Sequence, residues 1–316
     1  MYDLVIIGGG PGGVAAGVYA ARKKMKTVLV TESFGGQSLV SADIQNWIGT
    51  KSISGFDLAR ALEEHLKAQE GIEVIEGDLA VSVSEITDGL LVKTKNGKTL
   101  ETKYLLLASG SKRRRLGVPG EDRLDGKGVA YCSICDAPLF DGKNVAVIGG
   151  GNAGLEAVID LLPYATKIYL LERNTALRGD QVTQDKIKTN PKVQVITMAE
   201  TVEILGESSV SGLRYKDISD GSGAADGASG GGGIKGLPVQ GVFVEIGAIP
   251  NASIVKSLVN VNAIGEVIVD PKNEKASHSR IWAVGDVTDV IYKQNNISVG
   301  DAVKAVLNIH ETCVKK

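Results

Sequence analysis

Short apolar runs alternate with glycine-rich turns and amphipathic stretches along the chain, and this order occurs twice. Residues 3–7 are mainly apolar and β-branched, the turn 8–13 follows, and the alanine-rich stretch 14–24 leads into a second apolar run at 27–31. The same order spans residues 144–171. Short continuous apolar runs are typical of parallel strands that are buried on both faces. Each region therefore predicts a strand–turn–helix–strand unit in an α/β fold.

Weaker patterns organise the rest of the chain. The amphipathic stretch 56–69 predicts a helix. The segment 219–236 contains eight glycines without periodicity, which predicts a flexible loop inserted between strands. β-rich segments are expected at 74–83 and 90–94, and further strands at 104–108, 193–196, 212–218, 241–247 and 281–286. A linker is expected at 116–120 and a final helix at 297–311.

Composition excludes several classes of protein. The 316 residues suffice for about two domains, and 43% hydrophobic with 23% charged residues is typical of a globular chain. A net charge of −2 without a long basic stripe argues against nucleic acid or a membrane surface as the main partner. No apolar run approaches the roughly 18 residues of a membrane span. The three cysteines make no disulfide framework and no signal peptide is visible, so we expect a cytoplasmic protein.

The first glycine turn matches the dinucleotide-binding pattern G-x-G-x-x-G. Its first two glycines let the backbone turn and approach a pyrophosphate, and the third lets helix and strand pack closely. The start of the following helix offers N–H groups to the phosphates. Glu32, at the end of the second strand, is placed to bind ribose hydroxyls. The predicted contacts of the turn are Gly8, Gly10, Pro11, Gly12 and Gly13.

The second turn repeats this pattern, and Glu172 follows its second strand as Glu32 follows the first. A single such motif is a weak signal, because tight strand–helix turns without a ligand also contain glycines. Two complete units favour two dinucleotide-binding domains over that alternative. The predicted contacts of the second turn are Gly149, Gly151, Asn152, Ala153 and Gly154.

Cys132 and Cys135 form a C-x-x-C pair that admits three interpretations. A structural zinc site needs four ligands, and the other cysteine and the histidines lack ligand spacing. Two inert buried cysteines are the second interpretation. The third is a reversible redox disulfide, in which Asp136 supplies or takes the proton that thiol–disulfide exchange moves. The spacing favours the redox pair.

Two dinucleotide units and one redox pair indicate electron transfer from a nicotinamide through a flavin to a disulfide. In these features the chain resembles the low-molecular-weight thioredoxin reductase family over nearly its whole length. It is also similar to the reductase portion of the alkyl hydroperoxide reductase flavoprotein. The matching stretches are Phe34-Gly35-Gly36-Gln37, Val118-Pro119-Gly120-Glu121-Asp122, Tyr131-Cys132, Cys135-Asp136, Pro138-Leu139-Phe140, Asp180-Gln181-Val182, Gln184-Asp185-Lys186, Gly285-Asp286 and Tyr292-Lys293-Gln294.

The resemblance implies two Rossmann-like, three-layer domains, the second inserted into the first. Residues 1–116 and 243–316 would form the FAD domain, and 117–242 the NAD(P)H domain that carries the disulfide and the insert 219–236. Asp286 would bind the ribityl chain of FAD, and Gln294 would meet the pyrimidine side of the flavin. The other residues that the resemblance assigns to FAD are Gly35, Gly36, Gln37, Asn46 and Gly110.

Nicotinamide choice depends on the residues after the second strand of the second unit. Relatives that use NADPH resemble His-Arg-Arg at this place, whereas this chain has Glu172, Arg173 and, further on, Arg178. A carboxylate accepts from the ribose 2′-hydroxyl and repels a 2′-phosphate. The two arginines act in the opposite direction, because guanidinium groups suit phosphate. We expect NADH to be preferred over NADPH.

The resemblance implies a homodimeric enzyme that reduces a thioredoxin-like or glutaredoxin-like protein. One alternative is an NADH-dependent peroxiredoxin reductase, a role that normally comes with an extra N-terminal thioredoxin-like domain. A ferredoxin reductase of the same fold lacks the C-x-x-C pair. A flavin-binding redox sensor without turnover remains the alternative outside enzymes. The basic run 112–115 is interpreted as a solvated face, with docking of an acidic partner as a weaker alternative.

Overall fold

A computed structural model describes residues 1–41, 43–219 and 233–314 and divides the chain into two compact units. The first unit comprises Met1–Lys112 and Ile249–Lys316, and the second comprises Arg113–Ala248. The second unit extends beyond the predicted range 117–242 at both ends. The reason at the C-terminal end is that residues 241–244 form a strand inside the sheet of the second unit.

The bounds of the elements follow from the backbone hydrogen bonds. The helices are α1 (Pro11–Arg22), α2 (Gly55–Lys67), α3 (Ser133–Asp136), α4 (Asn152–Leu161), α5 (Gln181–Lys188) and α6 (Asn295–Val314). The strands are β1 (Tyr2–Gly9), β2 (Thr27–Phe34), β3 (Ile72–Glu76), β4 (Ala80–Ile86), β5 (Gly89–Thr94), β6 (Thr99–Leu107), β7 (Ser111–Arg113), β8 (Val129–Ala130), β9 (Asn144–Ile148), β10 (Lys167–Leu171), β11 (Val193–Ile196), β12 (Ala199–Gly206), β13 (Val210–Asp217), β14 (Ile234–Leu237), β15 (Gly241–Val244), β16 (Ala248–Pro250), β17 (Val269–Asp270), β18 (Lys275–Ala276) and β19 (Ile281–Ala283).

The first unit is built on a parallel sheet with the order β3-β2-β1-β6-β19. Successive side chains of a strand point to opposite faces, so β1 contributes to two cores. Leu4 and Ile6 pack in a cluster with residues of α1 and α6, whereas Val5 and Ile7 pack in a cluster with residues of β4 and β5. The unit therefore has three layers, as predicted.

The second unit repeats this plan with a parallel sheet of order β11-β10-β9-β15-β8. Val145 and Val147 of β9 pack in a cluster with residues of α4 and α5. Ala146 and Ile148 pack in a cluster on the other face with residues of the antiparallel sheet β12-β13-β14. The predicted α/β class, with one Rossmann-like unit inserted into another, is confirmed.

Some element predictions are wrong in detail. Neither β12 nor α5 was expected, and the predicted β-rich segment 74–83 contains parts of two strands, β3 and β4. The end of the predicted loop 219–236 belongs to β14, which pairs with β13. The glycine-rich residues 220–232 lie outside the described residues. In the described ranges, no helix has both the length and the apolar character needed to cross a membrane.

Candidate active site

Close backbone contacts shape the first glycine turn, which connects β1 to α1. Gly8 has a φ of +117°, and a Cβ atom there would lie 2.3 Å from the carbonyl oxygen of Ala108. A Cβ atom on Gly13 would lie 1.8 Å from the carbonyl oxygen of Gly8. On Gly10, the nearest atom would be Gly36 Cα, at 4.0 Å. Gly8 and Gly13 therefore form the tight turn, whereas Gly10 leaves the outer side of the turn open to a phosphate.

The start of α1 supplies hydrogen-bond donors at this turn. Pro11 is the first helical residue, and Gly10 precedes it without a side chain that could cap the helix. The N–H groups of Gly12 and Gly13 belong to the first turn, where a helix offers them no backbone acceptor. Together with the helix dipole they favour an anion. Glu32 lies exposed on β2, where a ribose-binding carboxylate is predicted.

Side chains from distant parts of the first unit meet in two hydrogen-bonded groups. Gln37 Nε2 donates to Asp286 Oδ2 at 2.9 Å and to Ser111 Oγ at 3.2 Å. Asn46 Nδ2 donates to Gln294 Oε1 at 3.3 Å. The structure therefore brings together the polar residues that the resemblance assigns to the flavin. The other assigned positions, Gly35, Gly36 and Gly110, are backbone turns with positive φ angles.

The start of α6 contributes residues that were not predicted from the sequence. Asn295 Nδ2 donates to Ser38 Oγ at 2.8 Å, and Asn296 Nδ2 donates to the carbonyl oxygen of Asn46 at 2.7 Å. Ser298 lies so close to the first turn that a Cβ atom on Gly12 would meet its Oγ at 2.3 Å. The available signal was the polar run that follows Gln294 at the start of the last helix.

The second glycine turn, between β9 and α4, has the same construction. Gly149 has a φ of +120°, and a Cβ atom there would lie 2.4 Å from the carbonyl oxygen of Glu245. A Cβ atom on Gly154 would lie 1.8 Å from the carbonyl oxygen of Gly149. On Gly151, a Cβ atom would meet nothing within 4 Å among the described residues. As in the first turn, two glycines, Gly149 and Gly154, therefore form the tight turn, and Gly151 leaves its outer side open.

A cleft of about 510 Å³ opens beside this second turn. Gly154 is not part of its lining, because this residue packs beneath the turn. Asn152 begins α4, and its Oδ1 accepts from the N–H of Asp180 at 2.8 Å. The predicted nicotinamide-site residues that line the cleft are Gly149, Gly151, Asn152, Ala153, Glu172, Arg173 and Arg178.

Glu172 is turned towards the protein, which the sequence does not reveal. Only 2% of this residue is exposed. Its carboxylate accepts from the N–H of Gly150 at 2.7 Å, and from the N–H and Nδ2 of Asn174 at 2.8 Å and 2.5 Å. Burial opposes ionisation, but these hydrogen bonds and Arg178 outweigh it and lower the pKa of Glu172. Three of about four acceptor positions of the carboxylate are therefore occupied within the protein, and one of these bonds, from Gly150, holds the glycine turn.

The two predicted arginines, Arg173 and Arg178, line the cleft. Both side chains are exposed. Arg173 pairs with Glu200 at 3.1 Å. The backbone N–H of Arg178 donates to the carbonyl oxygen of Gly150 at 2.8 Å, which fixes the loop that carries its guanidinium group. Arg178 is thus the arginine better placed to face a phosphate.

A hydrogen-bond network holds the segment that leads to the cysteines. Arg115 pairs with Asp125 at 2.5 Å and donates to the hydroxyl of Tyr131 at 2.7 Å. That hydroxyl donates to buried Glu121 at 2.9 Å. Burial of the Tyr131 hydroxyl and, to a lesser extent, this hydrogen bond raise the pKa of Tyr131. Arg115 is exposed, which agrees with the interpretation of the run 112–115 as a solvated face, and it also lines the cleft.

Cys132 and Cys135 are joined by a disulfide bond at the start of α3. The N–H of Asp136 donates to the carbonyl oxygen of Cys132 at 3.0 Å. Ser133, between the cysteines, donates through Oγ to Asp160 of α4 at 2.7 Å. In the part of the chain that the structure describes, no three His, Cys, Asp or Glu side chains are grouped as metal ligands would be. The pair therefore has the form that the redox interpretation requires.

Asp136, the predicted proton donor, has a raised pKa. Burial raises the pKa of Asp136 to about 6, a shift that Arg113 opposes and Asp125 supports. A carboxyl group with this pKa exchanges protons readily under physiological conditions. A further carboxylate, Glu245, reaches the backbone N–H of Ser133, although no role for it was predicted from the sequence.

Comparisons with known proteins agree with this geometry. The sequence profile of a family described as pyridine nucleotide-disulphide oxidoreductase matches residues 2–304. A Pseudomonas putida alkyl hydroperoxide reductase subunit is 42% identical over 309 residues, which cover 97% of this chain and 57% of that protein. Its counterpart in Staphylococcus aureus strain MRSA252 is 38% identical over 99% of this chain and 59% of its own length. The chain thus spans somewhat more than half of these relatives.

Solved structures give the same result for the fold. Thioredoxin reductase from Streptococcus pyogenes MGAS5005 superposes with a TM-score of 0.90 at 31% identity, covering 100% of this chain and 99% of that chain. Thioredoxin reductase from Giardia duodenalis gives a TM-score of 0.89 at 26% identity, with 99% of both chains covered. The resemblance predicted from the sequence is confirmed. The chain belongs to the pyridine nucleotide-disulphide oxidoreductase family, a membership that implies FAD and NAD(P)H as its cofactors.

Proposed function

We propose that this chain is a flavoprotein disulfide reductase that uses NADH in preference to NADPH and passes electrons through FAD to the Cys132–Cys135 disulfide. The resulting dithiol then reduces a thioredoxin-like protein. One observation carries the proposal: the second unit contains both a dinucleotide cleft and a disulfide, with Asp136 directly after the second cysteine. These are the parts needed to move two electrons from a nicotinamide to a protein disulfide.

The residues of the first unit fit FAD. The open side of Gly10 and the start of α1 suit its pyrophosphate, and Glu32 suits a ribose. The pairs Gln37–Asp286 and Asn46–Gln294 provide amide and carboxylate groups for the flavin portion. Bound there, FAD would accept two electrons from a nicotinamide and deliver them to a disulfide.

The charge at the end of β10 supports NADH. Glu172 has a lowered pKa and is therefore ionised at neutral pH, so a 2′-phosphate would face a fixed negative charge. Arg173 is paired with Glu200, which reduces its attraction for a phosphate. Arg178 opposes the preference for NADH, because its guanidinium group would attract the 2′-phosphate of NADPH.

A protein substrate is supported by the surface beside the disulfide. Ile134, between the two cysteines, is 56% exposed, and Leu139 is 40% exposed. Exposed apolar side chains next to a reactive group are typical of a surface that another protein covers. The dithiol would therefore meet a folded partner with a disulfide of its own.

A peroxiredoxin or a glutaredoxin-like protein is the second candidate for the partner. The observation in its favour is the identity of 42% to the Pseudomonas putida alkyl hydroperoxide reductase subunit, against 31% to the thioredoxin reductase from Streptococcus pyogenes. Because the chain covers 57% of the former protein, its partner does not follow from that similarity.

Crossing both nicotinamides with the candidate partners tests the proposal. FAD-loaded protein is mixed with NADH or NADPH and with a thioredoxin, a glutaredoxin-like protein or a peroxiredoxin, and the oxidation of the nicotinamide is followed by its near-ultraviolet absorbance. We expect turnover with NADH and thioredoxin, and a kcat/KM for NADPH lower by roughly tenfold, which corresponds to about 1.4 kcal/mol.

The other outcomes of this assay are equally informative. A clear preference for NADPH would contradict the role given to Glu172. Turnover with the peroxiredoxin or the glutaredoxin-like protein alone would replace the thioredoxin-like partner by the second candidate. If the flavin is reduced but no protein disulfide supports turnover, the chain is a redox sensor and the proposal of a reductase is wrong.

A further inference from the structure

Glu245 lies between the dinucleotide turn and the disulfide of the second unit. It directly follows β15, which is hydrogen-bonded to β9 on one side and to β8 on the other. β9 leads to Gly149, and β8 leads to Cys132. The N–H of Glu245 donates to the carbonyl oxygen of Ile148 at 2.9 Å. Because the carboxyl ends of parallel strands meet at one edge of a sheet, the residue after β15 stands beside both sites.

The side chain of Glu245 holds the residue that follows Cys132. The backbone N–H of Ser133 donates to the Glu245 carboxylate, and Ser133 Oγ donates to Asp160 Oδ2 at 2.7 Å. Both polar groups of Ser133 are therefore bound by carboxyl groups, one after β15 and one on α4. Ser133 is itself buried, so water does not readily replace these partners.

Charged groups from three other elements face Glu245. Burial, with Asp160 of α4 and Asp136 of α3, raises the pKa of Glu245 to about 8. Arg113 of β7 and the hydrogen bond from Ser133 act in the opposite direction. The carboxyl group is therefore mostly protonated at neutral pH and becomes charged at slightly alkaline pH.

We propose that Glu245 is a positioning residue of the disulfide reaction: it holds the first turn after Cys132 through Ser133, and its charge sets how readily the reduced cysteines form a thiolate. The proposal deepens the function proposed above and rests on it. It differs from the role of Asp136, because Glu245 acts on the sulfur atoms through the backbone and through its field.

The balance of the reaction shows where this charge acts. Reduction of the disulfide takes up two electrons and two protons and gives two thiols. In exchange with a partner, the S–S bond of the partner breaks, the S–S bond of Cys132–Cys135 forms again, and the two electrons and two protons pass to the sulfur atoms of the partner. Attack begins when one thiol loses its proton. A negative charge nearby raises the pKa of that thiol and lowers the thiolate fraction.

Alkylation of the reduced cysteines tests the proposal without nicotinamide or partner. The FAD-loaded protein is reduced with dithiothreitol, desalted anaerobically and treated with iodoacetamide from mildly acidic to alkaline pH. The rate is measured by mass spectrometry of the peptide 128–143, which contains both cysteines and excludes Cys313. In the wild type, ionisation of Glu245 should broaden the rate–pH curve around pH 8. Glu245→Gln should give a curve with one inflection and alkylation roughly threefold faster at about pH 8.5.

Matched variants separate the charge of Glu245 from its hydrogen bond. Glu156→Gln, an exposed carboxylate on α4, should leave the curve unchanged. Glu245→Asp keeps the charge and should keep the broad curve, even though its shorter side chain weakens the contact with Ser133. Superimposable curves for the wild type and Glu245→Gln would overturn the proposal. Because no partner takes part, this result is independent of whether the chain reduces thioredoxin.

Thermal unfolding gives a second readout that does not depend on chemistry at sulfur. The pKa of Glu245 is about 8 in the folded protein and lower in the unfolded chain. At pH values between these two pKa values, the Glu245 carboxyl group is therefore protonated in the folded state and ionised in the unfolded state. Stability therefore falls as the pH rises through this window and is lowest above about pH 8. Glu245→Gln should raise the melting temperature clearly at about pH 9 and only slightly at about pH 5. An equal change at both pH values would contradict the raised proton affinity.

Discussion

Replacing Cys135 with serine is expected to abolish the reduction of protein disulfides and to leave the reduction of FAD by NADH intact. The substitution removes one sulfur atom of the Cys132–Cys135 bond and changes none of the residues that line the dinucleotide cleft. Turnover with thioredoxin should fall by a factor on the order of 10³ or more, because the proposed reaction has no other route to the partner. Stopped-flow absorbance of the flavin measures the reduction of FAD, and thioredoxin-coupled oxidation of NADH measures the reduction of the protein disulfide.

A matched cysteine substitution serves as the control. Cys313→Ser, at the far end of α6, should keep both rates. If Cys135→Ser turns over with thioredoxin as the wild type does, electrons reach the partner by another route and the role of the disulfide is wrong. If Cys135→Ser instead loses flavin reduction as well, the substitution has damaged the nicotinamide site.

Replacing Gly13 with alanine should prevent the first unit from folding around FAD. The new Cβ atom would lie 1.8 Å from the carbonyl oxygen of Gly8, and both residues belong to the backbone of the turn, so no side chain can move to relieve the contact. Overpacking of a core usually costs about 1–3 kcal/mol, and a clash between two backbone segments should exceed this range. Circular dichroism, thermal melting and flavin content measure the effect.

Gly10→Ala is the matched control in the same turn. Its Cβ atom would be 4.0 Å from the nearest protein atom, so the chain should fold with a melting temperature close to that of the FAD-free wild type. The new methyl group would, however, occupy the open side that we assign to the pyrophosphate, so flavin content should be low. A Gly10→Ala protein that retains FAD would show that the cofactor does not approach this turn.

The glycine turns are well predicted from the sequence because their constraints are local. A positive φ at Gly8 and the tight approach at Gly13 arise within one strand–helix connection, and only glycine satisfies them. The helix α5 was not predicted, because its exposed polar residues leave only a weak apolar stripe. The strand β12 was not predicted, because polar residues interrupt its apolar positions.

The candidate site is predicted less completely, because its parts are far apart in the chain. The hydrogen bond between Gln37 and Asp286 joins residues that are 249 positions apart in the chain, and only the resemblance suggested that they share a site. The inward orientation of Glu172 depends on the N–H of Gly150, which no sequence pattern reports. Glu245 looks like any carboxylate that follows a strand until the sheet order places it next to Ser133.

The appearance of thiols when NADH is added is the decisive measurement for electron transfer through FAD to the disulfide. The FAD-loaded protein is titrated anaerobically with NADH, and the thiols of peptide 128–143 are counted by alkylation and mass spectrometry while the flavin absorbance is recorded. We expect Cys132 and Cys135 both to become alkylated, and protein stripped of FAD to show no such change. A flavin that is bleached by NADH while the Cys132–Cys135 bond stays intact would show that electrons do not reach the disulfide.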